Sequence, residues 1–216
     1  AAAGFPVTGI ETDGDKARSV GQGRSYIPDV PSERLQEMVA AGTLSATTSY
    51  DAVSKLDCVL ICVPTPLTRN REPDVSYIES TAATIAEPLR PGQLVVLEST
   101  TYPGTTREVL LPPLEATGLT AGKDFFLAYS PEREDPGNPK YATHSIPTVV
   151  GGLGPQDRRL ACALYDAVVT GTVPVSSPDA AEATKLLENI FRSVNIALVN
   201  ELKVVFERMG IDIWEV

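Results

Sequence analysis

Three polar motifs each follow a short apolar run directly, and this arrangement restricts the fold more than any other feature of the chain. The motifs are VPTP at 63–66, ESTTYPGTT at 98–106 and YSPER at 129–133. The apolar runs are too short for ordinary helices and are bounded by Pro, Gly or Asp; they cover 58–63, 94–97 and 125–129. Such runs are typical of strands that are buried on both faces of a parallel sheet.

Segments with helical periodicity separate these strands, and this alternation predicts an α/β fold. We expect a doubly wound, mostly parallel Rossmann-like sheet followed by a long connecting helix. Further strands are predicted at 6–10, 44–48, 148–150 and 172–175, and helices at 12–20, 32–41 with Ser32 as N-cap, 76–87, 105–116 and 155–167. Because the carboxyl ends of the strands line the ligand crevice in such sheets, the three polar motifs predict a site.

The composition of the 216 residues argues against several classes of protein. A hydrophobic content of 43% suits a packed core, and a net charge of −10 disfavours a nucleic-acid partner, since phosphate binding needs clustered Lys and Arg. The single histidine, His144, argues against a metal site. Three cysteines, which we expect to be inert core residues, suggest a reducing compartment. No apolar stretch approaches the roughly 20 residues that span a bilayer, so a cytoplasmic protein without a membrane partner is expected.

The first residues suggest that the chain enters the fold partway through. Residues 1–5 resemble the close of a helix, and a predicted strand at 6–10 ends at Glu11. In a dinucleotide-binding unit, an acidic residue after the second strand accepts hydrogen bonds from the ribose hydroxyls of NAD; a solvated, helix-capping acid is the alternative. A GxGxxG turn is expected upstream, because neither Gly21 nor Gly23 follows a strand. Asp212 can cap a further helix, so both ends are expected to be cut.

A long helix is predicted after Ser177, which is a capping residue followed by Pro178 and Asp179. Its roughly 30 residues give a length of about 45 Å, and apolar side chains cover much of its circumference. We therefore expect a connector between domains that also packs in a homodimer. The predicted domains are an NAD-binding domain at 1–176 and, at 177–216, this helix with the start of a dimerisation domain.

One face of this helix carries Lys185, Asn189 and Arg192 at spacings of four and three residues. Residues with these spacings share a face of an α-helix. The polar face either points to water or faces the crevice, where its donors would bind a charged or oxyanionic group.

Taken together, the motifs resemble those of the nucleotide-sugar 6-dehydrogenases, the UDP-glucose and UDP-N-acetylhexosamine group. The resemblance rests on VPTP, ESTTYPGTT, SPER followed by PGN at 136–138, and EATKLLENIFRSVNIALVNEL at 182–202. The PER and PGN pair, with EPDVSYI at 72–78, is more similar to the branch that oxidises UDP-N-acetyl sugars. The resemblance implies oxidation of the sugar C6 alcohol to a carboxylate by two hydride transfers to NAD, through a thioester on a catalytic cysteine.

The resemblance also implies roles for individual residues of this chain. Glu132 matches the proposed general base, Lys185 and Asn189 match groups that stabilise an oxyanion and hold the hydrolytic water, and Thr100 helps to position that water. The cofactor contacts fall on Glu11, Lys16, Val63, Pro64, Thr65, Pro66 and Ser99. Arg133 and Arg192 are the candidate substrate contacts. Glu11 replaces the more usual Asp, but either carboxylate accepts two ribose hydroxyls, so NAD is expected over NADP.

Two departures from the family pattern leave other functions open. The glycine turn and the catalytic cysteine are both absent from this chain, and none of its cysteines matches the latter, so the fragment alone is not expected to turn over. One alternative is a β-hydroxyacid dehydrogenase, in which Glu132 would have no role. The other is a non-catalytic nucleotide-binding or assembly module that retains the fold.

Overall fold

A five-stranded sheet and a separate pair of strands form the framework of the computed structural model, which describes residues 1–27, 30–132 and 146–216. The pair consists of β1 (Val7–Ile10) and β2 (Leu44–Thr47), which run parallel. The larger sheet has the order β3 (Cys58–Ile61), β4 (Leu94–Leu97), β5 (Phe126–Tyr129), β6 (Thr148–Gly152) and β7 (Thr172–Val175). All neighbours in it are parallel except β5 and β6, which run antiparallel.

Six α-helices accompany these strands in the described part of the chain. They are α1 (Gly14–Gly21), α2 (Ser32–Ala40), α3 (Ser76–Ala86), α4 (Leu111–Glu115), α5 (Pro155–Asp166) and α6 (Pro178–Arg208). The sequence prediction of a mostly parallel α/β sheet followed by a long helix is confirmed. None of the described helices combines the length and the hydropathy that a membrane crossing requires.

The core lies in two layers because the central strands are buried on both faces. On one face, Val95 and Leu97 of β4 pack with Ile78 and Ile85 of α3. On the other face, Val96 packs in a second cluster with side chains of α5. Burial on both faces leaves no exposed strand position for a polar side chain, so the polar groups of these strands appear only where the strands end.

Two of the predicted helices differ from the structure for physical reasons. Ser32 is not an N-cap: Pro31 holds that position, and the Ser32 hydroxyl accepts a hydrogen bond from the Ser25 N–H at 3.1 Å. The predicted helix at 105–116 begins with a π-helical segment, Thr106–Leu110, before α4. Pro112 and Pro113 lack the N–H groups that an α-helix would use at these positions, so the regular hydrogen-bond ladder cannot continue through them.

The start of α6 is fixed tightly against the sheet. Ser177 caps the helix as predicted, since its hydroxyl accepts a hydrogen bond from the Ala180 N–H at 3.2 Å. Gly151 of β6 allows the close approach, because a Cβ there would lie 2.1 Å from the carbonyl oxygen of Ser177.

A buried carboxylate joins α6 to the loop after β4. Glu182 is fully buried and accepts hydrogen bonds from the backbone N–H of Gly104 at 2.6 Å and that of Thr106 at 2.8 Å. The Thr106 hydroxyl donates a third, at 2.6 Å. Burial raises the pKa of Glu182, and these three hydrogen bonds oppose the shift because they favour the ionised form.

Beyond this attachment, α6 exposes most of its apolar side chains. Leu187, Phe191 and Val194 are each at least 60% exposed, and only Pro178, Ala181 and Glu182 of the helix are buried. A helix with so much apolar surface needs further packing partners.

We expect Glu182→Gln to lower the free energy of unfolding of the full-length protein by about 1–3 kcal/mol. The amide would direct a donor at backbone N–H groups, and a buried donor without an acceptor costs about this much. Glu201→Gln, a change at an exposed position on the same helix, is the matched control. Equal stability of both variants in urea denaturation would contradict this account of the attachment.

Candidate active site

The loops that follow β3 and β4 are tied together side by side. The Ser99 hydroxyl donates to the carbonyl oxygen of Val63 at 2.8 Å, and the Thr65 hydroxyl donates to that of Thr100 at 2.7 Å. The Tyr129 hydroxyl, from the end of β5, donates to the Ser99 carbonyl at 3.3 Å. The predicted cofactor-contacting segment 63–66 therefore lies beside Ser99 and Thr100 at the carboxyl edge of the sheet.

The loop after β5 meets α6 at this same edge. The Lys185 ammonium donates a hydrogen bond to the backbone carbonyl oxygen of Glu132 at 2.7 Å. Lys185 lies about one helical turn after Glu182. The buried attachment of the helix at Glu182 therefore also fixes the position of the Lys185 backbone. Two residues that were 53 positions apart in the sequence are thus in direct contact.

The other polar residues predicted on α6 lie further along the helix. Asn189 and Arg192 line a surface depression together with Ser193, Ile196 and Asn200. Asn189 is about 6 Å from Lys185 along the helix axis, since four residues rise 1.5 Å each. Arg133 lies outside the described residues.

The predicted adenosine contacts lie on the smaller sheet. Glu11 follows β1 directly; its N–H donates to the Thr47 carbonyl oxygen, and its carboxylate accepts from the Asp13 N–H at 3.2 Å. Lys16, on α1, lies 5.6 Å from the centre of the Tyr26 ring. A partly exposed carboxylate at a strand end has acceptor sites left over for sugar hydroxyls, so Glu11 fits the ribose of a dinucleotide.

Sequence reasoning missed Glu98, which is the first residue after β4. Its carboxylate accepts hydrogen bonds from the Cys62 thiol at 2.9 Å and from the Tyr165 hydroxyl of α5. The signal in the sequence is its position at a strand end, which it shares with the serine and threonine that follow. Tyr165 gave no signal, because an aromatic residue in an amphipathic helix usually belongs to the core.

The prediction that all three cysteines are inert core residues needs correction in the placement of Cys62 but not in its reactivity. Cys58 and Cys162 are partly buried, whereas Cys62 is exposed and donates its thiol proton to Glu98. Desolvation, followed by the negative charge of Glu98, raises the pKa of the Cys62 thiol above its ordinary value. The thiol form therefore dominates at neutral pH, which makes Cys62 a poor nucleophile.

Glu98 and Glu132 line the same small cavity. Its volume is about 50 Å³, and Ser130, Pro131, Ile146, Thr148, Tyr165 and Val169 complete the lining. Desolvation and the charge of Glu98 raise the pKa of Tyr165, so its hydroxyl stays protonated as a donor. Within 1–27, 30–132 and 146–216, no cluster of three or more His, Cys, Asp or Glu side chains is suited to hold a metal ion.

Comparison with known proteins identifies the family that these residues resemble. The profile of the UDP-glucose/GDP-mannose dehydrogenase family, NAD binding domain, matches residues 1–169, and that of its central domain matches residues 179–216. The match confirms the predicted family and its cofactor NAD, and it favours the main prediction over a β-hydroxyacid dehydrogenase.

Individual relatives agree with this family. The chain is 38% identical over 208 residues to UDP-N-acetyl-D-glucosamine 6-dehydrogenase of Pseudomonas aeruginosa, covering 95% of this chain and 49% of that protein. Among solved structures, UDP-D-ManNAc dehydrogenase of Pyrococcus horikoshii matches with a TM-score of 0.92 and 34% identity, covering 99% of this chain and 51% of the other. GDP-mannose dehydrogenase of P. aeruginosa matches with a TM-score of 0.91 and 29% identity, covering 99% and 50%.

The chain spans about half the length of each of these relatives. Profile matches to two successive domains, together with high structural similarity over nearly all of the chain, establish its relationship. The chain belongs to the UDP-glucose/GDP-mannose dehydrogenase family.

Proposed function

We propose that the whole protein oxidises the C6 alcohol of a UDP-sugar, a UDP-N-acetylhexosamine, to the carboxylate. The observation that carries this proposal is the 2.7 Å hydrogen bond between Lys185 and the Glu132 carbonyl, which unites the candidate base loop and the candidate oxyanion donor. Relatives named as UDP-N-acetyl-D-glucosamine and UDP-N-acetyl-D-mannosamine dehydrogenases support this sugar class.

Residues of both sheets would hold the dinucleotide. The Glu11 carboxylate would accept the ribose hydroxyls and repel a 2′-phosphate, with Lys16 beside it. One wall of the cofactor site would be formed by Val63, Pro64, Thr65 and Pro66. Ser99 fixes this segment through its hydrogen bond to the Val63 carbonyl. When bound, NAD supplies the hydride acceptor.

The groups around Lys185 would act on the sugar. Its ammonium has three N–H donors, of which the Glu132 carbonyl takes one, so the others can stabilise negative charge on the C6 oxygen. Glu132 is exposed to solvent, so its carboxylate can act as a general base and take a proton from a water molecule. Thr100 and Asn189 would orient that water, and Arg133 and Arg192 would contact the substrate.

We further infer a homodimer in which the apolar surface of α6 is covered. Leu187, Phe191, Val194 and Val199 are each more than half exposed, and such a surface marks an interaction site. We also propose that a domain boundary lies near residue 176 and that the protein is cytoplasmic.

Lys185→Ala in the full-length enzyme should lower kcat on the order of 10²–10³-fold with little change in KM. The reason is that the lost donor acts on charge that develops in the transition state. Steady-state NADH formation measures this effect, and Lys203→Ala on the same helix is the control. A proportional rise in KM at unchanged kcat would assign Lys185 to substrate binding instead.

Glu132→Gln should release NADH in a rapid burst and then stall. Early oxidation does not need the carboxylate, whereas activation of the hydrolytic water does. Rapid-mixing absorbance combined with intact mass should detect a covalent acyl adduct. Steady turnover at the wild-type rate would remove Glu132 from the mechanism, and Glu87→Gln controls for the loss of an exposed carboxylate.

Phe191→Asp should shift the full-length protein from dimer to monomer, because a charge would replace an apolar side chain at the covered surface. Light scattering at micromolar concentration gives the mass of each form. Asn200→Asp, nine residues after Phe191 and therefore on the opposite face of α6, adds the same charge and should leave the dimer intact. A monomeric wild-type protein would contradict the dimer.

The non-catalytic alternative makes a different prediction for the same protein. A nucleotide-binding module would bind NAD but would form no NADH with any UDP-sugar. Calorimetric titration with NAD, beside the kinetic assay, separates the two functions.

A further inference from the structure

A chain of polar side chains runs beneath the Glu132 loop and ends at Glu98. The Tyr165 hydroxyl donates to the Glu98 carboxylate, and Ser130 lines the same cavity as both residues, where its hydroxyl acts to lower the pKa of Tyr165. Ser130 and Thr148 are both buried, and their hydroxyl oxygens lie 3.2 Å apart. The Cys62 thiol also donates to Glu98. Each strand from β3 to β6 thus contributes one residue at the same edge, namely Cys62, Glu98, Ser130 and Thr148.

The carboxylate fixes the direction of the whole chain. Tyr165 donates to the Glu98 carboxylate, and the Tyr165 oxygen keeps lone pairs that can accept a hydrogen bond from Ser130. Ser130 can therefore donate to Tyr165, and Thr148 to Ser130. Hydrogen bonds that point along one direction polarise one another, and bonds to a charged acceptor are the stronger ones.

This chain of hydrogen bonds holds one side of the loop that carries Glu132. Ser130 lies two residues before Glu132, and the buried Pro131 separates them. Lys185 holds the other side through the Glu132 carbonyl at 2.7 Å. Glu98 and Glu132 also line one cavity of about 50 Å³, so movement of the Ser130 end changes the space beside the Glu132 carboxylate.

We infer that Glu98 is a positioning residue, which orients the Ser130 to Glu132 loop through Tyr165 and so sets the efficiency of the hydrolytic step. This inference rests on the proposed function of Glu132 as general base. It assigns Glu98 no contact with substrate, so its effect must pass through Glu132.

The test uses Glu98→Gln and Tyr165→Phe in the full-length enzyme, alone and combined with Glu132→Gln. Each single variant should lower kcat on the order of tenfold, the equivalent of one charge-assisted hydrogen bond, while KM for the UDP-sugar stays within about twofold. In the Glu132→Gln background, neither change should slow the residual hydrolysis further, because the group they act through is already absent.

Cys162→Ala, three residues before Tyr165 on α5, is the control and should turn over like wild type. Thermal unfolding checks each variant, and if Glu98→Gln fails to fold, the Tyr165→Phe cycle decides alone, since it removes only one oxygen. Additive losses in the Glu132→Gln background would overturn the positioning role, and so would an unchanged kcat in the single variants. In either case, turnover by the wild-type enzyme would still uphold the proposed function. A wild-type enzyme that forms no NADH would overturn both.

Discussion

Burial of the central strands on both faces is the constraint on which the rest of this structure depends. Val95, Val96 and Leu97 are fully buried, so β4 has no room for a polar side chain until Glu98. In β5, Leu127 and Ala128 are likewise fully buried, and polar groups appear only at Tyr129 and Ser130, where the strand ends. Because β3, β4 and β5 are parallel, their polar groups emerge at one edge. The candidate site is therefore a direct consequence of how the core is packed.

The long helix completes this edge because one buried carboxylate fixes its first turns. Glu182 is bound by two backbone N–H groups and a hydroxyl of the loop after β4, and the loss of any one leaves a buried polar group without its partner. Lys185 follows one turn later and reaches the loop after β5. The helix thus links the loops of two different strands, and the distances within the site depend on its attachment.

The sequence predicted those parts of the molecule that follow from hydrophobic pattern and strand ends. Ser177 as the cap of α6 and the strand before Ser99 follow from local rules, and the structure agrees with both. Side chains whose role depends on distant partners were not predictable. The sequence context of Tyr165 is that of a core aromatic residue, and nothing near Glu182 distinguishes it from other acidic residues of a helix. The π-helical segment before Pro112 was also missed, because periodicity does not reveal which backbone N–H groups are lost.

The most direct test of the central claim is a crystal structure of the full-length protein with NAD and a UDP-N-acetylhexosamine. The account predicts that the sugar C6 oxygen lies within about 3 Å of Lys185 Nζ, and that the Glu132 carboxylate reaches C6 directly or through one water. A C6 oxygen distant from both groups, with the sugar bound elsewhere on the protein, would contradict it.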